Sequence, residues 1–200
     1  MSSRVPAKAA RQIWQIAVFT GSAILSLVVG GLLLASHMPF QANPDGLSYL
    51  AREVGTANGS WQAIHLLSTT CSCSHGVAEH LIERGPISNL KEQVVLAGND
   101  PLLAHRLTAA GFPVHVMNPE TVAERYHIAG APWLVFVSPG GDVRYQGGYT
   151  PAHARSDYQD QQIWAELASG RNAEPLPVLG CALGKRLQRK LDPLGIKYSN

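Results

Sequence analysis

The N-terminal part of the chain contains one long apolar stretch. The 23 residues from Ile13 to Ala35 carry no formal charge, and Gln15 is the one strongly polar side chain among them. A helix of this length, rising about 1.5 Å per residue, spans a hydrocarbon core of ~30 Å. Three cations precede the stretch, and the next Lys or Arg is Arg52. This asymmetry predicts a transmembrane anchor over 13–36, with residues 1–12 in the cytoplasm.

A cleaved signal peptide is the alternative interpretation of the same stretch. Its apolar region would be shorter, ~7–15 residues, and a small-x-small cleavage site would follow it. The candidate cleavage residues Ala35 and Ala42 have bulky Leu33 and Phe40 two positions upstream, which favours an uncleaved anchor. In both cases the residues after the stretch are exported. We therefore expect a single-pass protein of the bacterial inner membrane with its C-terminal domain in the periplasm.

Short apolar runs alternate with helical patterns in the rest of the chain. Residues 37–60, rich in Gly and Asn, are predicted to be a linker with a short helix. Strands are predicted at Trp61–Leu67, Gln93–Ala97, Phe112–Met117, Trp133–Val137 and Val143–Gln146. Helices are predicted at Gly76–Arg84, Pro101–Ala110, Glu120–Tyr126 and Asp157–Ser169. This alternation, closed by a hairpin and a helix, predicts an α/β three-layer sandwich with a mixed sheet.

Composition and charge exclude several classes of protein. The 200 residues, 46% hydrophobic and 15% charged, leave room for one domain and an appendage and do not fit a disordered or collagen-like chain. Residues 37–170 carry seven Lys and Arg against twelve Asp and Glu, a net charge of −5. Because a basic face is missing from the predicted domain, we expect no nucleic-acid partner.

The candidate chemistry lies in three cysteines of the exported part: Cys71, Cys73 and Cys181. Cys71-Ser72-Cys73 follows a predicted strand directly and opens a predicted helix. The N–H groups and the positive end of a helix dipole stabilise a thiolate there, which makes it a nucleophile. In an oxidising compartment a second thiol nearby can then close a disulfide. Redox chemistry is the favoured interpretation, with metal binding and a site without chemistry as alternatives.

The strand–cysteine–helix start, the segment Gly130–Val137 (GAPWLVFV) and the hairpin Gly140–Tyr149 resemble the thioredoxin-like superfamily. Within it, the chain is most similar to the membrane-anchored periplasmic thiol–disulfide oxidoreductases of the TlpA and DsbE kind. The resemblance covers residues 61–170. It implies a cis bond before Pro132 beside the active cysteines and a strand-like pairing of a protein substrate with the backbone there. It also implies exchange with protein thiols without an organic cofactor, and a membrane redox partner that regenerates the cysteines.

The chain departs from the Cys-x-x-Cys pattern of that family. Cys71 and Cys73 have one residue between them, and Ser74 stands where the second cysteine of the pattern would be. A disulfide across one residue closes a small ring, and strain makes such a bond easier to reduce. We predict Cys71 as the nucleophile and Cys73 as the resolving thiol. If the Cys71–Cys73 bond does not form, Cys71 works alone or with Cys181 as the candidate resolving thiol.

Two histidines are candidates for further roles, one as a proton acceptor and one as a metal ligand. His65 lies on the first predicted strand, six residues before Cys71, roughly where the family keeps a buried acidic residue. It is therefore a candidate proton acceptor, with a hydrogen-bonded structural histidine as the alternative. Cys71, Cys73 and His75 form a C-x-C-x-H pattern of soft ligands that suit Cu(I). These ligands make a copper-binding metallochaperone for a membrane complex the alternative function. It ranks second because thioredoxin-like copper chaperones use a longer Cys-x-x-x-Cys spacing. A non-catalytic interaction scaffold is the third.

Residues 171–200 form a basic extension beyond the resemblance, with six Lys and Arg against two Asp and Glu. The segment Cys181–Leu191 is predicted to be a helix, with leucines on one side and four cations on the other. A surface helix docked by its leucines is the favoured interpretation. Contact with an anionic membrane surface and contact with a partner protein are the alternatives.

Overall fold

The computed structural model describes residues 7–35, 39–40, 43–55, 59–152, 157–193, 195 and 198. The chain divides into two compact units, Met1–Met38 and Pro39–Asn200. Helix α1 (Ala7–Ala35) belongs to the first unit. Within the described residues, one helix is long and apolar enough to cross a membrane, over Arg11–Gly31 with a mean hydropathy of 1.8. Its length and its place near the N-terminus fit an anchor or a signal sequence. Residues 1–6 of the predicted cytoplasmic segment and residue 36 lie outside the described residues.

The second unit is built on a five-stranded mixed sheet. The strands of this unit are β1 (Gln62–Ser68), β2 (Lys91–Ala97), β3 (Val114–Met117), β4 (Gly130–Ala131), β5 (Trp133–Val137), β6 (Val143–Gly147) and β7 (Cys181–Ala182). The large sheet has the order β3-β2-β1-β5-β6, and β4 pairs with β7 in a separate two-stranded sheet. Strands β1, β2 and β3 are parallel, while β5 is antiparallel to both β1 and β6. All seven residues of β1 are buried, as expected for a central strand covered on both faces.

The described residues of this unit also form six helices: α2 (Pro44–Val54), α3 (Ser72–Arg84), α4 (Pro101–Ala109), α5 (Pro119–Arg125), α6 (Asp160–Ala168) and α7 (Lys185–Leu191). Helices α2, α4 and α5 start in the same way. Each begins with a proline, whose fixed φ suits the first helical position, and the preceding residue is Asn43, Asp100 or Asn118. The side chain of that residue accepts a backbone N–H of the first turn, which fixes the helix start.

The apolar core lies in two layers, one on each face of the large sheet. One layer contains Leu81 of α3, Leu107 of α4 and Ile163 of α6. The other contains Leu50 of α2 and Val122 of α5. Helices therefore cover both faces, and the predicted three-layer α/β sandwich with a mixed sheet is confirmed.

The predicted linker over 37–60 contains a core helix. Leu47, Leu50 and Val54 of α2 follow helical spacing and are all buried, with exposed fractions of 1%, 1% and 6%. Pro44 and Gly46 favoured a linker in the sequence, but Pro44 occupies the first turn of α2. Gly46 is required for packing, because a Cβ there would meet the carbonyl oxygen of Tyr126. The prediction of a short helix in this segment was correct, and its description as a linker was wrong.

The C-terminal extension also differs from its prediction. Cys181 was predicted to begin a helix, but it lies in β7 and the helix begins at Lys185. Gly184 takes an extended conformation between them, so the apolar residues up to Leu183 pack as a strand-like segment rather than a helical stripe. Every residue of α7 is exposed or half-buried. The extension is therefore attached to the fold chiefly by residues before its helix.

Candidate active site

The start of α3 carries the first two cysteines. β1 ends at Ser68, the chain turns, and Cys71 is the extended residue that precedes the helix, with φ −111° and ψ 118°. The carbonyl oxygen of Cys71 accepts the N–H of His75 at 3.0 Å, which closes the first turn. Among the described residues, no side chain caps this helix start. The N–H groups of its first turn are thus directed toward the Cys71 side chain, where they favour a negative charge.

The three cysteines of the chain come together at this point, and no disulfide joins them. Cys71 is fully buried, with 0% of its surface exposed, whereas Cys73 is exposed and Cys181 is buried. Hydrogen bonds from the Cys181 thiol and then the Cys73 thiol lower the pKa of Cys71 to about 2, against the opposing effect of burial. The backbone N–H of Ser74 lowers it further. Cys71 is therefore the thiolate of the cluster, with two thiols within reach.

The loop before β5 forms the other wall of the site. The Ala131–Pro132 bond is cis, as the resemblance to thioredoxin-like proteins implied. The sulfur of Cys71 lies 3.7 Å from the carbonyl oxygen of Ala131. Ala131 is also paired with Cys181 across β4 and β7. The structure thus brings together four predicted site residues: Cys71, Cys73, Cys181 and Pro132.

His65 lies in a different cluster. Its Nδ1 atom is 2.7 Å from the hydroxyl of Tyr149, and its Nε2 atom is 3.0 Å from a carboxylate oxygen of Glu92. Ile64 and Leu66 belong to the core layer that contains Ala131, so the alternating pleat directs His65 to the opposite face of β1. Both ring nitrogens are engaged by groups other than thiols. The proton-acceptor role of His65 stays a prediction, and the geometry favours the structural alternative.

Glu92 and Arg84 extend this second cluster into a buried ionic network. Arg84, at the end of α3, donates to both carboxylate oxygens of Glu92 and, through Nε, to Asp160 at 2.8 Å. His80 contacts the other oxygen of Asp160, also at 2.8 Å. Burial alone would raise the pKa of Glu92, but hydrogen bonds from His65 and Arg84 lower it to about 2. The pKa of Asp160 is likewise lowered, because His80 and Arg84 outweigh its burial.

Sequence reasoning missed this network. Arg84 ends a predicted helix and Glu92 directly precedes a predicted strand, positions where charged residues are normally solvated. The fold brings Asp160 of α6 and Glu92 of β2 to the side chain of Arg84 at the end of α3. A local pattern in the sequence carries no signal for that contact.

His75, the third residue of the alternative copper pattern, is bonded to the backbone. Its Nε2 atom lies 2.8 Å from the carbonyl oxygen of Thr69. In the part of the chain that the structure describes, no group of three or more His, Cys, Asp or Glu side chains is arranged to hold a metal ion. Cys71, Cys73 and His75 therefore do not form a preformed three-residue metal site in the described structure.

Comparisons with known proteins found similar solved structures but no match to a family model or a curated sequence. No protein-family model matches the chain, and no curated protein matches its sequence. A hypothetical protein from Sinorhizobium meliloti 1021 is similar in structure, with a TM-score of 0.50 and 15% identity over 64% of this chain and 80% of that one. The thioredoxin domain of a thiol-disulfide oxidoreductase from Bacteroides vulgatus has a TM-score of 0.41 and 13% identity, over 56% of this chain and 82% of that one. A secreted disulfide oxidoreductase from Mycobacterium tuberculosis has a TM-score of 0.40 and 12% identity, over 56% and 84%. The second unit has a mixed sheet in the order β3-β2-β1-β5-β6, helices on both faces, and a cysteine at the start of α3 beside a cis proline. This unit therefore has a thioredoxin-like fold.

Proposed function

We propose that this protein is a membrane-anchored periplasmic thiol–disulfide oxidoreductase that exchanges disulfides with protein thiols through Cys71-Ser72-Cys73. The observation that carries the proposal is the Cys71 thiol, whose pKa is lowered to about 2 at the start of α3, with further thiols in hydrogen-bonding range. The thiolate is the attacking species in disulfide exchange, and a nearby second thiol is needed to release the product. The site provides both.

The exchange proceeds in two steps when a substrate disulfide is reduced. The Cys71 thiolate attacks one substrate sulfur, the substrate S–S bond breaks, and the other substrate sulfur leaves as a thiolate. The thiol of Cys73, after losing its proton to solvent, attacks the Cys71 sulfur of the mixed disulfide. The second substrate sulfur then leaves, and a Cys71–Cys73 disulfide remains. The substrate has gained two electrons and the protein has lost two; the reverse sequence oxidises a substrate dithiol.

The proposed location follows from the N-terminal unit. Three cations precede the apolar stretch, and no Lys or Arg follows it until Arg52, which favours a cytoplasmic N-terminus. The cysteines would then lie in an oxidising compartment, where a disulfide persists. An uncleaved α1 would keep the domain at the membrane, next to a membrane redox partner that renews the cysteines.

The proposal is tested on the full chain in detergent, titrated with a glutathione redox buffer while its disulfides are mapped by mass spectrometry. We expect wild-type protein to open and close an intramolecular disulfide reversibly. Cys71→Ser should lower the exchange rate by about 100-fold or more, because the variant loses the thiol whose pKa is lowered. Ser72→Ala, at the exposed residue between the two cysteines, is the matched control and should retain exchange.

Three thiols that never pair within one molecule would refute the oxidoreductase. Copper bound in stoichiometric amounts by that same protein, and lost in Cys71→Ser, would instead support the metallochaperone.

A further inference from the structure

The chain's own C-terminal extension lies beside the sulfur of Cys71. Residues 180–183, here called the covering segment, run antiparallel to β4, with Cys181 opposite Ala131. The backbone of β4 directly precedes Pro132, where the resemblance implies that a substrate strand pairs. Cys71 has no exposed surface, so a substrate sulfur cannot reach it while the covering segment occupies β4. In this structure the site is therefore closed.

The residues before the covering segment are fixed to the rest of the unit. The N–H of Gly148 donates to the carbonyl oxygen of Leu176, and the N–H of Phe40 donates to that of Val178, each at 2.9 Å. Val178 is buried, with 2% of its surface exposed. The extension is thus held three residues before Cys181, which keeps that cysteine near the site even when the covering segment opens.

The covering segment itself pairs over a short distance. β7 has two residues, and the N–H of Leu183 extends the pairing by donating to the carbonyl oxygen of Ala129 at 3.0 Å. The side-chain amide of Gln188, on α7, donates to the carbonyl oxygen of Ala182 at 2.8 Å. A segment held by so short a pairing opens locally at lower cost than the large sheet. The segment can therefore open while the residues before it stay in place.

A glycine allows the covering segment to lie this close to β4. A Cβ atom at Gly180 would lie 1.7 Å from the carbonyl oxygen of Ala131 and 2.8 Å from Cδ of Pro132. A side chain at this position would therefore push the segment away from β4. Substitution of Gly180 thus opens the segment while all three cysteines stay in the chain.

Cys71 has two possible disulfide partners, and the two bonds differ in geometry. The side chains of Cys181 and Cys73 both hydrogen-bond its sulfur. Cys73 is separated from Cys71 by one residue, so their disulfide closes a small, strained ring. Cys181 lies on a separate strand, and its bond to Cys71 closes no such ring. Cys181 is also buried, whereas Cys73 is exposed. A disulfide to Cys181 is therefore the less strained and the better shielded of the two.

We infer that residues 180–183 are an autoinhibitory cover, and that a disulfide between Cys181 and Cys71 holds it closed in the oxidised protein. The inference rests on the proposed function for its source of oxidation, the Cys71–Cys73 disulfide that exchange with a substrate leaves. Cys181 loses its proton to solvent, and its thiolate attacks the sulfur of Cys71. The Cys71–Cys73 bond breaks, and Cys73 leaves with the electron pair and takes up a proton. One disulfide replaces another, so the step consumes no further oxidant.

The closed, oxidised protein reopens by the reverse route. Both cysteines of the Cys71–Cys181 bond are buried, so an external thiol does not reach either sulfur, whereas Cys73 is exposed beside them. The thiolate of Cys73 attacks the sulfur of Cys71 and releases Cys181, which restores the strained bond. An external thiol then reduces that bond by attacking the exposed sulfur of Cys73. The covering segment thus keeps the oxidised protein from substrates until a reductant acts through Cys73.

The first experiment tests the cover in the reduced protein. The full chain in detergent is reduced, and the rate at which iodoacetamide alkylates Cys71 is followed by peptide mass spectrometry. Gly180→Ala should raise this rate by about tenfold or more, because the methyl group displaces β7. Gly140→Ala is the matched control: its methyl group would meet no atom closer than 3.6 Å, and the rate should stay at the wild-type value. If Gly180→Ala does not fold, Gln188→Ala replaces it, with an expected rise of about threefold from the lost hydrogen bonds.

The second experiment locates the disulfide. The same protein is oxidised with glutathione disulfide, its remaining thiols are blocked with N-ethylmaleimide, and the disulfides of the monomer are mapped by peptide mass spectrometry. The Cys71–Cys181 bond should exceed the Cys71–Cys73 bond by about tenfold or more, because it lacks the ring strain. Gly180→Ala should lower this ratio by about tenfold, since Cys181 moves away with β7, and Gly140→Ala should leave it unchanged.

The third experiment measures how the closed form is reduced. Oxidised protein is treated with reduced glutathione, and the loss of its disulfide is followed over time. Cys73→Ser should slow the reduction by about tenfold or more, because the buried bond loses the thiol that attacks it from within the molecule. Ser72→Ala keeps all three cysteines and should follow the wild type.

Different results would overturn the inference and the proposed function. A folded Gly180→Ala variant in which Cys71 reacts as slowly as in the wild type would refute the cover. A Cys71–Cys73 bond that forms without any Cys71–Cys181 bond would refute the closed, oxidised form and leave the oxidoreductase standing. No bond between cysteines of one molecule would refute the oxidoreductase together with the disulfide proposed here.

Discussion

Two clusters of ionisable side chains lie at the two ends of α3. The helix dipole favours a negative charge at one end and a positive charge at the other. At its start, the positive end of the dipole favours the thiolate of Cys71; at its end, the negative end favours the guanidinium of Arg84. The partners differ. Cys71 is hydrogen-bonded by the side chains of two other cysteines, whereas Arg84 is bonded to two buried carboxylates, on Glu92 and Asp160. The Cys71 thiolate has no opposite charge bound to it and is therefore available for chemistry. The Arg84 guanidinium is paired with two carboxylates, and that pairing stabilises the fold.

Removing the cation of the network should have the largest effect on stability. Arg84 has 8% of its side chain exposed and Glu92 and Asp160 have 1%, so Arg84→Met leaves two buried carboxylates without the cation that they share, each with one histidine as a remaining partner. We expect the free energy of unfolding to fall by about 3–5 kcal/mol, measured by urea denaturation. Arg106→Met is the control, because its ion pair with Glu79 is exposed to solvent, which weakens it. Equal losses in the two variants would show that the network adds no more than a surface pair.

Acid should weaken the end of α3 by a comparable amount. The pKa of Glu92 is lowered from 4.5 to about 2 in the folded protein, so the folded state favours its carboxylate. This contribution is fully present well above pH 4.5 and is lost as the pH falls from there toward 2. A shift of this size corresponds to about 3 kcal/mol. Asp160, whose pKa is lowered in the same way, adds to the loss.

The measurement is the urea midpoint at about pH 6, 5, 4 and 3. Glu92→Gln should make the midpoint less dependent on pH across this range, because the substituted amide does not titrate there. Glu83→Gln, which removes an exposed carboxylate of the same helix, should follow the wild type. The assignment fails if the midpoint of Glu92→Gln falls as steeply as that of the wild type.

The sequence predicted the cysteine cluster at the start of α3 much better than the ionic network at its end. An apolar strand followed by Cys71-Ser72-Cys73 is a local pattern, and the Gly130–Val137 segment indicated Pro132 by resemblance; the structure brings these residues together. Arg84, Glu92 and Asp160 are far apart in the chain, and only packing brings them together.

The same limit applies to the segments that flank residues 61–170. Gly46 and Pro44 favoured a linker because their use in close packing and in a helix start depends on partners elsewhere in the fold. Cys181 was predicted in a helix because its leucine spacing is helical. Its pairing with Ala131, across 50 residues, overrides that local preference.

His65 gives the smallest expected effect and tests whether the two clusters are separate. His65→Gln should cost about 1–2 kcal/mol, because the hydrogen bonds to Tyr149 and Glu92 are replaced incompletely. The rate of disulfide exchange with glutathione should stay within about twofold of the wild type at each pH, since neither ring nitrogen contacts a thiol.

His115→Gln, at a half-buried histidine bonded to Gln93 between β2 and β3, controls for the loss of any histidine. A rate that falls about tenfold near neutral pH in a stably folded His65→Gln, but not in the control, would restore the sequence-based role of His65 as proton acceptor. In that case a proton would pass between the faces of β1, and the cluster at the end of α3 would serve the thiols at its start.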